Sequence, residues 1–138
     1  MVQEVTINWW AVLVAVPIPL AIGALWYSPI GFARFWMRKA RLTDDAMQGA
    51  RAAILGFGAA TVAAFLLAWV LATTLAFAET QNAVEGILGG FFCWLGFTAA
   101  TFAANDFMER RPAGLWAINI GYWLLVFVAD GALLGAWH

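Results

Sequence analysis

The sequence predicts an all-α, polytopic membrane protein. Four transmembrane helices, a short interfacial amphipathic helix after the first, and both termini outside are expected. Three observations predict this. Of the 138 residues, 64% are hydrophobic and 11% charged, with a mean hydropathy of +0.83, whereas soluble domains carry about 25% charged residues. A soluble chain this short would have to expose large apolar patches. The apolar residues gather in four runs of about 20 or more, enough at 1.5 Å per residue to cross a hydrocarbon core of about 30 Å. Finally, all seven Lys and Arg residues fall in only two of the connections between runs.

The first run, about 7–28, reads INWWAVLVAVPIPLAIGALWYS. Pro17 and Pro19 lie midway along it; each lacks an N–H, which frees the carbonyls of Leu13 and Ala15 and invites a kink. Tyr27, Ser28 and Pro29 end the helix. Beyond them Arg34, Arg38 and Arg41 recur at i, i+4, i+7, while Phe32, Phe35, Trp36 and Ala40 fall largely on the other side. That pattern predicts an interfacial helix with rings in the acyl boundary and arginines at anionic headgroups. Thr43 before Asp44 and Asp45 reads as an N-cap with acids in the first turn, so the second helix is expected to start near Asp44. Its lipid-facing run covers about 52–78. Asn82 and Glu85 have capping-box spacing at the head of the third run, about 84–104. Arg110, Arg111 and Pro112 close that helix, and the fourth run covers about 115–137. None of the four alternates with period two, so strands are not expected. The chain reads as one domain, 1–138.

Orientation follows from the basic residues. Arg34, Arg38, Lys39, Arg41 and Arg51 lie in the first connection, and Arg110 and Arg111 in the third. The positive-inside rule puts those connections in the cytoplasm and both termini outside, as expected of a multi-pass protein of the bacterial cytoplasmic (inner) membrane. Interfacial aromatics give the same layout: Trp9, Trp10 and Trp137 on the outer side, Trp26, Tyr27, Trp36 and Trp116 on the cytoplasmic side. Trp69, Trp94 and Trp123 lie deeper and need packing or hydrogen-bond partners. Residues 1–8 hold Glu4 and no basic residue, which disfavours a secretory signal.

Asp130 is the sharpest candidate for chemistry. It lies seven residues before Trp137, hence roughly 10 Å inside the outer end of the fourth helix. Intramembrane carboxylates are costly and often functional, and every basic side chain is expected at the opposite face. Asn119, Tyr122, Val126 and Asp130 share one helical face. The functional reading is a proton- or cation-binding site; the structural one is an acid hydrogen-bonded across helices, for instance to Asn8, or across an oligomer interface. Asn105 and Asp106 read as a solvated or ion-paired helix end near Arg110. Small residues form two stripes, one through Gly49, Ala52, Gly56, Ala59 and Ala63, the other through Gly86, Gly89, Gly90, Cys93, Gly96, Ala100 and Ala103. Both are packing surfaces that let helix backbones approach closely in lipid.

Several classes are excluded or unsupported. The single cysteine and single histidine, Cys93 and His138, exclude an intramolecular disulfide, a Cys/His metal cage and bis-His haem ligation within one chain. No cofactor is expected. No Gly-rich phosphate loop, Ser/His/acid set or basic-aromatic surface for nucleic acid occurs, so an enzyme is the least supported class.

Certain stretches resemble an uncharacterised family of small four-span bacterial membrane proteins, a domain of unknown function. They are Ile7-Asn8-Trp9, GALWYSP at 23–29, Trp36-Met37-Arg38, Leu42-Thr43, Arg111-Pro112, INIGYW at 118–123 and LGAW at 134–137. The resemblance implies a four-helix integral membrane fold and assigns no reaction. The leading functional expectation is a non-enzymatic membrane protein that assembles through small-residue faces, as a homo-oligomer or an accessory subunit of a larger membrane complex. The rival is a small proton- or cation-linked carrier or channel built on Asp130, Asn119 and Tyr122, gated by the kink at Pro17 and Pro19. The weak basic bias needed for dual-topology multidrug transporters is absent, as is a carboxylate in the first span.

Overall fold

The computed structural model describes residues 4–40 and 49–138. Arg41, the expected cap at Thr43 and the expected helix start at Asp44 lie outside the described residues, as does the side chain of Trp36. The elements are α1 (Trp9–Ala15), α2 (Pro17–Trp26), α3 (Ala33–Ala40), α4 (Ala50–Phe77), α5 (Ala83–Cys93), a π-helical segment (Trp94–Ala99), α6 (Ala100–Met108) and α7 (Ala113–Ala136). They make four helices long and apolar enough to cross a membrane: Trp9–Trp26, Ala50–Phe77, Ala83–Met108 and Ala113–Ala136. No strand occurs among the described residues.

Two of these spans are irregular midway. In the first, Val16 separates α1 from α2 yet keeps helical dihedrals (φ −54°, ψ −44°). The chain therefore runs on in the same sense, and what is lost is the hydrogen bonding that Pro17 and Pro19 cannot supply. In the third, the ladder widens to π geometry over Trp94–Ala99.

Helix ends follow local chemistry. The Asn8 side-chain oxygen Oδ1 accepts from the backbone N–H groups of Trp10 and Ala11 at 3.1 and 3.3 Å and so caps α1. Asn82 Oδ1 accepts from Glu85 N at 3.0 Å while Glu85 Oε2 accepts from Gln81 N at 2.8 Å, a reciprocal cap on α5. The spans ending at Phe77 and Met108 both close by a left-handed residue, Glu79 (φ 55°) and Arg110 (φ 57°). The N–H groups of Thr80 and Arg111 then turn back to Leu75 O and Asp106 O at 3.1 and 2.8 Å, a Schellman closure with a side chain where glycine is usual.

The fourth span is the hub: α7 touches every other described helix. On one side lies an apolar cluster of Ala11, Val12 and Ala15 from α1, Ala68, Leu71 and Leu75 from α4, and Leu134 from α7. On another, α5 and α7 meet along glycine. A Cβ on Gly86 would sit 2.9 Å from Gly135 Cα and closer still to Gly131 O, and one on Gly135 would sit 2.6 Å from Asn82 O. Such spacing is open only to residues without a side chain. The first part of α4 is different: every residue from Ala50 to Ala60 is exposed, and a Cβ on Gly56 or Gly58 would meet nothing within 4 Å.

Candidate functional site

Asp130 stands on the face of α7 that carries Val126 one turn before it and Leu134 one turn after. Val126 and Asp130 are wholly buried and Leu134 is 4% exposed. Neither carboxyl oxygen of Asp130 has a hydrogen-bond partner among the described residues. The bond to Asn8 considered as a structural role is not formed; the side-chain oxygen of Asn8 caps α1 instead. A partner across an oligomer interface is also out of reach, since the side chain has no exposed surface. An unsatisfied buried polar group costs roughly 1–3 kcal/mol, so this residue is not explained by the stability of the bundle.

The other members of the expected polar stripe lie elsewhere and are satisfied. Tyr27 donates its hydroxyl to Asn119 Oδ1 at 2.8 Å, and Tyr122 donates to the carbonyl of Pro19 at 2.8 Å. The two phenol rings meet edge-on at 5.4 Å. Tyr27, Asn119 and Tyr122 thus tie the end of α2 to α7, and Tyr122 secures the segment that follows the break. Pro19 is buried and Pro17 exposed. From Asn119 to Asp130 is eleven residues of one helix, or about 16 Å. The stripe is two sites rather than one.

Two indoles brace α7 from opposite spans. Trp26 Nε1 donates to Ile118 O at 3.0 Å, and Trp94 Nε1 donates to Ile120 O at 2.8 Å. Trp94 opens the π-helical segment, so the irregular turn of the third span carries a tether to the fourth. π segments recur at functional sites. Trp26 serves as a helix-to-helix anchor, although its position in the sequence reads as an interfacial belt residue.

Cavities lie on either side of Asp130. At the face that holds both termini is an open recess of about 660 Å³, lined among others by Glu4, Asn8, Glu79, Thr80, Gln81 and His138. Beneath it a cavity of about 30 Å³ reaches Ala11 and Leu134, ample for a water by the usual threshold of about 10–15 Å³. Leu134 is one helical turn from Asp130. At the other end a groove of about 670 Å³ runs between α2, α4 and α7, past Pro19 and Tyr122. No basic side chain among the described residues is near: Arg34, Arg38, Arg110 and Arg111 lie beyond span ends and Arg51 in the first turn of α4, all at the opposite end, and Arg111 pairs with Glu109 at 2.8 Å. No group of three or more His, Cys, Asp or Glu among the described residues could hold a metal ion.

Compared with known proteins, residues 10–135 match the family model described as a protein of unknown function (DUF1761). The chain belongs to this family. The match takes in all four spans, Asp130 and the glycine seam, and it brings no activity with it. No curated protein and no solved structure matches the chain.

Asp106 corrects the reading of the third helix end. It is buried, 5% exposed, and its Oδ2 has no partner among the described residues. The indole N–H of Trp116 is likewise buried and unpartnered, and Trp116 packs against Phe107 at 5.6 Å. The expected ion pair with Arg110 is not formed among the described residues, where Arg111 pairs with Glu109 instead. Sequence spacing also left out Gly131 and Gly135. The signal for them was G-x-x-x-G recurring in both the third run (Gly86, Gly90) and the fourth.

Proposed function

We propose that this small membrane protein is a proton-linked carrier in which Asp130 binds and releases the proton. One observation carries the reading: among the described residues, a carboxyl with no exposed surface and no hydrogen-bond partner stands on a helix that touches all the others. Ionisable groups kept inside the membrane at such cost mark ion and proton paths. A proton fits the surroundings better than a metal cation, since a hard cation needs several oxygen ligands and no other acid joins Asp130 in a metal-holding group among the described residues. The small cavity that reaches Leu134 stops one turn short of Asp130, on the side of the face holding both termini, which we take as the outer face. The interrupted hydrogen bonding at Val16–Pro17 and the π segment supply two places where spans can shift against α7.

The test is reconstitution into lipid vesicles loaded with a pH-sensitive dye, under an imposed pH gradient with and without a potassium diffusion potential. Wild-type protein is expected to dissipate the gradient, and Asp130→Asn to abolish this while the protein inserts and retains its helicity. Equal proton flux in wild type and Asp130→Asn refutes the reading, as does the absence of flux in a wild-type preparation that is folded and inserted.

Assembly through small-residue faces, as a homo-oligomer or an accessory subunit, retains one observation in its favour. The third-helix stripe is occupied within the chain at Gly86 and Gly90, which face α7, and at Gly89, which meets Leu75, and it is open at Gly96. The stripe of α4 stays open at Gly56. Native mass spectrometry separates the outcomes, since self-assembly gives a multiple of 15.0 kDa and an accessory role gives additional polypeptide mass.

A further inference from the structure

The short helix α3 takes no part in the reading built on Asp130, and its place in the fold says what it meets. The first span ends at Trp26, and the chain turns back on that end at once. The N–H groups of Phe32 and Ala33 bond to Trp26 O and Ser28 O at 2.7 and 3.2 Å. Gly31 permits the turn, since a Cβ there would sit 2.5 Å from Trp26 O and 2.6 Å from Leu25 O. The Phe32 ring packs on the Trp26 ring at 4.8 Å, and the Trp26 indole donates to Ile118 O. Ile118 lies five residues beyond the start of α7 at Ala113, or about 8 Å along the axis. α3 itself packs against α7. The helix is therefore fixed at the level where two spans end, the boundary between hydrocarbon and headgroups.

Its surface suits that boundary. Ile30 is 94% exposed, and Phe32 and Phe35 are exposed as well. Arg34 and Arg38 are exposed one helical turn apart, so their Cβ atoms stand about 5–6 Å from each other on one face. The helix, ARFWMRKA, holds no acid. Among the described residues the acids of that end are Asp106, which is buried, and Glu109, which is held by Arg111. Over 29–49 the sequence has four basic residues against the two acids Asp44 and Asp45. A helix of eight residues is marginal in water by propensity alone, so its surroundings have to stabilise it.

We infer that α3 reads the charge of the membrane surface, with Arg34 and Arg38 together on the phosphates of anionic phospholipids and Ile30, Phe32 and Phe35 in the acyl boundary beneath them. Guanidinium donors suit phosphate oxygens, and the apolar side chains keep the helix at the depth where those oxygens lie. A zwitterionic surface would accept the apolar residues and leave the two positive charges without a net counter-charge. The turn at Gly31 and the Trp26 indole tie this lipid contact to α7.

The test is backbone amide exchange of the full chain in nanodiscs made of phosphatidylglycerol or of phosphatidylcholine, read by mass spectrometry. Wild type is expected to exchange more slowly over 33–40 in phosphatidylglycerol, while exchange over 113–136 stays the same in both lipids and shows that the bundle is folded. Arg34→Gln and Arg38→Gln should each remove about fivefold of that slowing, the factor that one basic residue near an anionic surface supplies. Arg110→Gln, which removes an exposed arginine of the same end outside α3, should leave the slowing in place. Equal exchange of wild type in the two lipids overturns the inference and leaves the arginines to an acidic protein partner. Unchanged slowing in both α3 variants overturns it, as does an equal loss in Arg110→Gln, because the charge is then not read by α3.

Discussion

Replacing Gly86 by alanine adds one methyl group where α5 meets α7. Built on the existing backbone, that methyl lies 2.9 Å from both the carbonyl carbon of Gly131 and the Cα of Gly135, with Gly131 O nearer still. All three neighbours are backbone, so no rotamer change can relieve the overlap. Ordinary contact begins at 3.4 Å, so the helices must part by at least 0.5 Å, and by more at the oxygen. A gap of about 0.5–1 Å forfeits a quarter to a half of the dispersion well for every atom pair along the seam. Overpacking of this kind costs about 1–3 kcal/mol. Helix propensity works in the opposite direction, by about 1 kcal/mol for Gly to Ala. Gly56→Ala isolates that second effect, since a methyl there meets nothing within 4 Å. The difference between the two variants should therefore be about 1–3 kcal/mol, with Gly86→Ala the less stable. Unfolding in mixed micelles, titrated with sodium dodecyl sulfate and followed by circular dichroism, reads it directly. If Gly86→Ala and Gly56→Ala unfold at the same midpoint, the close glycine seam is not what holds α5 to α7.

Two further outcomes use the same unfolding assay. Asp130→Leu should raise stability by about 1–3 kcal/mol by removing an unpartnered buried polar group, while proton flux is lost; a fall in stability would mean that the carboxyl holds the bundle together. Trp94→Phe keeps the ring in the π segment but removes the donor to Ile120 O, and should cost about 1 kcal/mol, whereas no change would show that this tether contributes nothing.

Much of the fold was legible in the chain because lipid imposes simple requirements. Every backbone group must be satisfied within a span, so apolar runs of sufficient length can only be helices when they lack period-two alternation. Local ends were legible for the same reason that they form early: Asn82 and Glu85 lie within three residues of each other and find one another without help from the rest of the molecule. Asp130 also stood out, since a carboxylate in an apolar run is conspicuous whatever surrounds it. The sequence could not say whether Asp130 has a partner, because that depends on which face of α7 meets which span. The polar stripe illustrates the difference. Helical periodicity put Asn119, Tyr122 and Asp130 on one face, but Tyr27 and Pro19 come from the first span, more than ninety residues away, and they engage only the first two.

By itself, then, the sequence determined four apolar helices, the cap of α5 at Asn82 and Glu85, the proline interruption and the segregation of charge, all of which are set within a few turns of chain. Only the tertiary structure decided that the glycines of the third span close against Gly131 and Gly135 within the same chain. It also decided that Trp26 and Trp94 anchor α7 through its carbonyls, and that Asp130 is enclosed without a bond. The physical reason is that helices in lipid pair by close fit rather than by hydrophobicity, and fit is a property of two surfaces brought together, which neither run of residues carries alone.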